Sequence, residues 1–350
     1  MRRATRLIIV LATTASLFGA TAMAWAAVGG FNGPLFGLSS SPNGGQLVAD
    51  ASTGIIKIRK GEIKKTIPLP GATDVSTLGK GSMWATTGAG ESPNEDTGQA
   101  VYRIRNGEPK LVANLFEAEA MLNPDGEYLL DSNPFDVQSL GRRSALVVDA
   151  GANALLKVKK NGAVKVMALF RDEPVSTANL QDLLGCPTPS IPDLGFICGV
   201  EALSAQPVPT SIAIGPDGYI YVGELKGFPA PAGESSIWRV APGARYVDCG
   251  YSAECFEVFQ GGFTSIIDLA FGPDGKLYVA EMDEDSWAAV EIFGGGSGGT
   301  INACDVDTGD CTVVASGIPI LTAINFNNNG KLFATRNALI PGAAEVFKVG

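Results

Sequence analysis

Histidine is absent from all 350 residues. That excludes Ser-His-Asp and Cys-His catalysis, histidine-ligated zinc or copper, and any histidine general base. Acid and base work would fall to carboxylates, Lys or Tyr. Cations are also scarce, with 26 Lys and Arg against 36 Asp and Glu and a formal net charge of -10. Such a surface opposes nucleic acid and anionic lipid, leaving cations and neutral molecules as the more natural partners.

Long apolar runs are missing except at the start, where Arg2, Arg3 and Arg6 precede an apolar stretch from Leu7 to Ala22. Ala22-Met23-Ala24 and Ala24-Trp25-Ala26 then offer small-x-small cleavage sites. This pattern predicts a secretory signal over residues 1–26, cleaved near Ala24 or Ala26, and a secreted or extracytoplasmic product over 27–350 with no membrane span. Loss of the three arginines would take the net charge to about -13.

The six cysteines fall into close pairs, Cys186 with Cys198, Cys249 with Cys255, and Cys304 with Cys311. None has CxxC spacing, and an exported chain meets an oxidising compartment, so three local disulfides are expected rather than thiolate metal sites. A hairpin around Asp307-Thr308-Gly309-Asp310 would set Cys304 opposite Cys311.

An ungapped fourteen-residue unit recurs six times: Gly37 to Asp50, Asp74 to Thr87, Asp136 to Asp149, Ser211 to Glu224, Asp268 to Glu281, and Ala323 to Arg336. Each copy reads strand, turn, strand. The second position is always aliphatic, and the eleventh is Leu47, Trp84, Leu146, Tyr221, Tyr278 or Phe333, expected in the core. SPNG, LGKG, LGRR, GPDG, GPDG and NNNG supply the turn formers between the strands.

Further pairs of strand-like runs follow the hairpins, such as Ile55 to Arg59 then Lys64 to Leu69. Four strands per unit predict an all-β, six-bladed β-propeller, because a small sheet buries both faces only between neighbours in a ring. The last unit lacks a fourth strand, which Ala27 to Phe31 would supply, closing the ring and removing a sheet edge. Helical periodicity is confined to short pieces such as Thr177 to Leu184.

The segments DAGANALLKV from Asp149, VPTSIAIGPDGYIYVGELKGFPAP from Val208 and FTSIIDLAFGPDGKLYVAE from Phe263 resemble the ScyD/ScyE family. That family is named from scytonemin-biosynthesis clusters of cyanobacteria. The resemblance implies an exported six-bladed propeller and brings no established reaction with it.

If the first residue of each hairpin lies beside its last, twelve positions gather on one face around the axis. Seven are acidic: Asp50, Asp74, Asp136, Asp149, Glu224, Asp268 and Glu281, with Arg336 the one cation. Two readings follow. The carboxylates fix blade geometry by accepting loop amides, or a subset, Asp136, Asp149, Glu224, Asp268 and Glu281, binds Ca2+ or a small polar ligand. The corresponding functions are a non-catalytic scaffold for a small molecule or envelope protein, and a calcium-dependent hydrolase or lactonase of the gluconolactonase type.

Three other motifs carry weaker signals. GGGSGG at 294–299 opens no helix and reads as a flexible link. Asp305, Asp307 and Asp310 read as a polar hairpin tip. Phe228-Pro229-Ala230-Pro231 either walls a pocket beside the axis or forms a rigid surface loop.

Overall fold

A computed structural model describes residues 27–90 and 92–350; the signal segment expected over residues 1–26 lies outside them. Six antiparallel blades form a ring, and each fourteen-residue unit supplies the two inner strands of one blade. Blade 1 runs Leu35–Ser40, Gln46–Asp50, Gly54–Arg59 and Glu62–Pro68, in that spatial order. Blades 2, 4 and 5 repeat this order, and blade 3 adds Val247–Asp248 as a parallel fifth strand. Blade 6 has three strands, to which the N-terminal segment adds an antiparallel bridge, Val28 with Val346. The two residues exchange N–H to O bonds of 2.9 Å, so the expected ring closure is met.

The aliphatic second positions face the neighbouring blade. Leu38, Val75, Val137, Ile212, Leu269 and Ile324 each sit in a different apolar cluster, and each cluster joins two adjacent blades. Six blade boundaries therefore have six cores, because neither face of a four-stranded sheet is covered by the sheet itself. Of the eleventh-position side chains, Leu47, Trp84, Leu146 and Tyr221 are buried. Tyr278 and Phe333 are only half-buried. Tyr278 extends its hydroxyl 3.2 Å to Asp274 in the GPDG turn and sets its ring edge-on to Phe326. The same turn ends on Gly275 at φ 82°, a conformation that costs a side chain but not glycine.

Among the described residues three α-helices interrupt the strands: α1 (Leu115–Leu122), α2 (Ala178–Leu184) and α3 (Ser286–Glu291). Helix α2 falls where the periodicity placed it. It belongs to an insertion after blade 3 that is held by the Cys186–Cys198 disulfide and buries Leu180, Leu184 and Ile197 against Phe228 and Phe293. All three disulfides are the expected pairs, with Cα separations of 5.5, 4.7 and 4.1 Å. Their presence fits an oxidising environment. Among the described residues no helix is long and apolar enough to cross a membrane.

Candidate ligand-binding site at the propeller axis

The innermost strands wall a central cavity of about 250 Å³. Strand alternation turns hairpin positions one and three toward the axis. Position three gives Ser39, Ser76, Gln138 and Asn325 in four of the six blades, and position one gives Asp74, Asp136 and Asp268. Among the described residues no Lys or Arg lines the cavity.

Each of these aspartates also clasps the next blade. Asp74 Oδ2 accepts the Val137 N–H at 3.2 Å, Asp136 Oδ2 that of Ile212 at 2.5 Å, and Asp268 Oδ2 that of Ile324 at 2.7 Å. In blade 1, where position one is glycine, the backbone itself approaches the neighbouring blade: a Cβ at Gly37 would collide with Asp74 Oδ1. Burial pushes all three carboxyls above the usual carboxylate range, and mutual repulsion lifts Asp74 and Asp268 further through Asp136. Next to burial, the charge of Asp136 is what raises Asp74 most, so the pair favours holding a proton over ionising together.

The residue before position one is set apart by a β-bulge, which five of the six hairpins carry. In blades 2, 4 and 6 it is Thr73, Thr210 or Thr322, whose hydroxyl donates to a carbonyl of the next blade, Pro134, Ile266 or Leu35, at 2.9, 2.7 and 2.6 Å. In the other blades it is Phe36, Phe135 or Ile267. The Phe36 and Phe135 rings meet edge to face at 5.6 Å. Blades 1 and 3 are not neighbours, so this contact crosses the axis and stoppers the channel beyond the aspartates.

The bulge also corrects the sequence-based register. Asp74 pairs with Thr86, not Thr87, while Thr87 pairs with Ala72. First and last hairpin residues are therefore offset, and the seven acids divide into two sets. Asp50, Asp149, Glu224 and Glu281, at the ends of second strands, do not line the cavity. Asp50 accepts four loop N–H groups, from Asn32, Gly33, Ser52 and Thr53. Asp149 accepts the Ser132 hydroxyl and the Asn133 and Ala152 amides, and burial raises it to about 6. Glu281 accepts Thr264 N–H and the Asn302 amide, and burial raises it to about 7. Arg336 is paired with Glu345 at 2.6 Å.

Glu224 has a partner that sequence reasoning missed. The fully buried Lys226 ammonium lies 2.7 Å from Glu224 and 2.6 Å from Glu173. Trp238 Nε1 donates to the other Glu224 oxygen at 2.5 Å. Burial nevertheless pushes Glu224 up to about 7. The available signal was Lys226 itself, a lone cation in the VGELKGFP segment among apolar and glycine neighbours.

As placed, the set Asp136, Asp149, Glu224, Asp268 and Glu281 does not form one coordination shell. Among the described residues no group of three or more Cys, Asp or Glu is arranged for a metal ion. Asp149 and Glu281 are occupied by amides and hydroxyls, and the cation beside Glu224 is Lys226. Calcium, which the lactonase reading requires, does not fit this arrangement.

The remaining motifs are structural. Phe228 packs at 6.3 Å from Phe196 under the insertion rather than on the axis. The GGGSGG loop is anchored to Asp283, whose carboxylate accepts Ser297 and Gly298 N–H at 3.2 and 2.8 Å. Asp305 Oδ1 accepts Asp307 and Thr308 N–H, closing a hairpin tip as expected.

No protein-family model matches the chain, and comparison with curated proteins finds no match. Solved structures do match in fold. The chain resembles the apo-form soluble aldose sugar dehydrogenase of Escherichia coli at 11% identity and TM-score 0.56, over 93% of this chain and 99% of that one. It resembles a gluconolactonase of Xanthomonas campestris at 10% identity and TM-score 0.55, over 93% and 89%. A Bacteroides thetaiotaomicron protein of unknown function matches at 11% identity and TM-score 0.56, over 93% and 72%. At such identities the likeness is one of architecture: the chain is a six-bladed β-propeller.

Proposed function

We propose that this chain is an exported ScyD/ScyE-like propeller that binds a small amine-bearing polar molecule in its axial cavity without transforming it. The observation that carries the reading is the meeting of Asp74, Asp136 and Asp268 in a cavity lined by no Lys or Arg. Protons relieve their repulsion when the cavity is free of ligand, and an organic ammonium would relieve it better. Ser39 and Gln138 add hydroxyl and amide groups that have no side-chain partner among the described residues. Phe271, Phe326 and Ile214 at the fourth hairpin position give the cavity an apolar collar. A cavity of about 250 Å³ suits a molecule below drug size, somewhat under the usual range of about 300–1,000 Å³.

The residue types present argue against covalent catalysis by a side-chain nucleophile. The lining residues hold no Cys, Lys or Tyr, and Ser39 and Ser76 have no imidazole to activate them. A thermal-shift panel of glucosamine, putrescine and choline against glucose and gluconate tests the reading. Amines should raise Tm and gluconate should not. Equal effects from amines and gluconate, or conversion of any lactone or ester by the purified protein, would overturn it.

A further inference from the structure

Fifteen of the 26 lysines and arginines lie between Lys57 and Lys165, which is the span of blades 1 to 3. Topology concentrates them further. Lys60, Lys80, Arg142, Arg143 and Lys160 occupy the tight turns that join the first strand to the second or the third to the fourth. Those turns share one face of the ring. On the opposite face the long connections of blade 2 carry Glu95, Asp96, Glu117, Asp125, Glu127 and Asp131. An acidic protein thus has one strongly basic sector.

That sector is grooved. A cleft of about 380 Å³ between blades 2 and 3 is lined by Arg103, Arg105, Lys110, Arg142 and Lys160. A second, of about 330 Å³ between blades 1 and 2, is lined by Lys57, Lys65 and Lys80. Lys80 also lines a small hollow with Arg103, Arg105 and Arg142, so the two clefts form one track. Among the described residues none of the eight cations is within ion-pair distance of a carboxylate, although Glu108 lines the larger cleft.

One of them is built in. Arg103 is 7% exposed, held by Met83 carbonyl and Ser82 hydroxyl and set 5.2 Å from the Trp84 ring centroid. Its buried Nε has no hydrogen-bond partner among the described residues. Burial of an arginine with a free donor, next to Arg105 and Arg142, is unfavourable unless an anion compensates it.

We infer that this track binds an anionic polysaccharide, with successive sulfate or carboxylate groups seated in successive inter-blade clefts. Repetition of the cations along a track fits a polymer of repeating anions better than a single ion. Arg105 and Arg142 present planar forks that match oxyanions. No aromatic residue lines either cleft, so the stacking platforms of single-stranded nucleic-acid sites are missing. The acidic face does not cancel the attraction, because charges beyond about 8–10 Å are largely screened at physiological salt.

The test is equilibrium binding of the mature protein to dextran sulfate and polygalacturonate, with neutral dextran and a short DNA duplex as comparators. The exposed Arg105 and Arg142 can be reversed without touching the core. Arg105→Glu with Arg142→Glu should weaken glycan binding at least about tenfold and flatten its salt dependence, whereas Arg245→Glu with Lys276→Glu changes it less than about twofold. Lys110→Gln with Lys160→Gln gives an independent reading should the reversal variant fail to fold. Absence of binding to both anionic glycans, equal loss in track and control variants, or tighter binding of the duplex would overturn the assignment.

Discussion

Asp136 Oδ2 accepts the backbone N–H of Ile212 at 2.5 Å across a blade boundary, 76 residues along the chain. The same carboxyl lines the axial cavity together with Asp74. A single side chain therefore joins two blades and lines the proposed ligand site, and substitutions can separate the two roles. Asp136→Asn keeps an acceptor for Ile212 and should cost less than about 1 kcal/mol, whereas Asp136→Ala orphans a buried N–H and should cost about 1–3 kcal/mol. Denaturant unfolding of the two variants checks the difference.

The buried cation site makes a sharper prediction. Lys226→Met leaves Glu224, fully buried, without its ammonium. Breaking such a pair from one side should destabilise by about 3–5 kcal/mol. Glu224→Gln combined with Lys226→Met should recover most of that loss, and thermal denaturation of the single and double variants measures it.

Stability should fall as pH rises from 5 to 8. Burial lifts Asp149 to about 6, Glu281 and Asp131 to about 7 and Glu119 to about 8, all above their ordinary values. In that window the folded chain holds protons that the unfolded chain has released, so the contribution is complete at low pH and lost through the folded-state values. Tm should be several degrees higher at pH 5 than at pH 8. A Tm that rises over this interval would contradict the assignment.

Ring closure can be cut directly. Phe31 is 1% exposed in the cluster that joins blades 6 and 1, and Val28 bridges Val346. Replacing Phe31 by Ala should cost about 3–5 kcal/mol. Deleting residues 27–31 should in addition expose the edge strand Glu345–Lys348 and promote self-association, visible by light scattering.

Much of this architecture was legible because strand period two and a fixed turn length are local properties. The aliphatic second position and the Pro-Asp-Gly turns identify hairpins, and six hairpins of one kind leave few alternatives to a ring. The site was legible only in part. A one-residue bulge before Asp74, Asp136 and Asp268 has no marker in an ungapped repeat, since Thr, Phe and Ile all occupy it. That bulge separates the axial acids from Asp149, Glu224 and Glu281, which sequence grouped with them. The Glu173–Lys226 pair was out of reach for another reason: its partners are 53 residues apart and meet only because the insertion folds back over blade 4.

The most direct test of the axial site is calorimetric titration of glucosamine into the mature protein at pH 6, in two buffers of different ionisation enthalpy. A bound ammonium must displace protons held by Asp74, Asp136 and Asp268, so the account predicts saturable heat with net proton release, tighter binding at higher pH, and loss of both in Asp136→Asn with Asp268→Asn. Saturable heat that persists in the double variant, or no heat from the wild-type chain at any pH between 5 and 8, would contradict it.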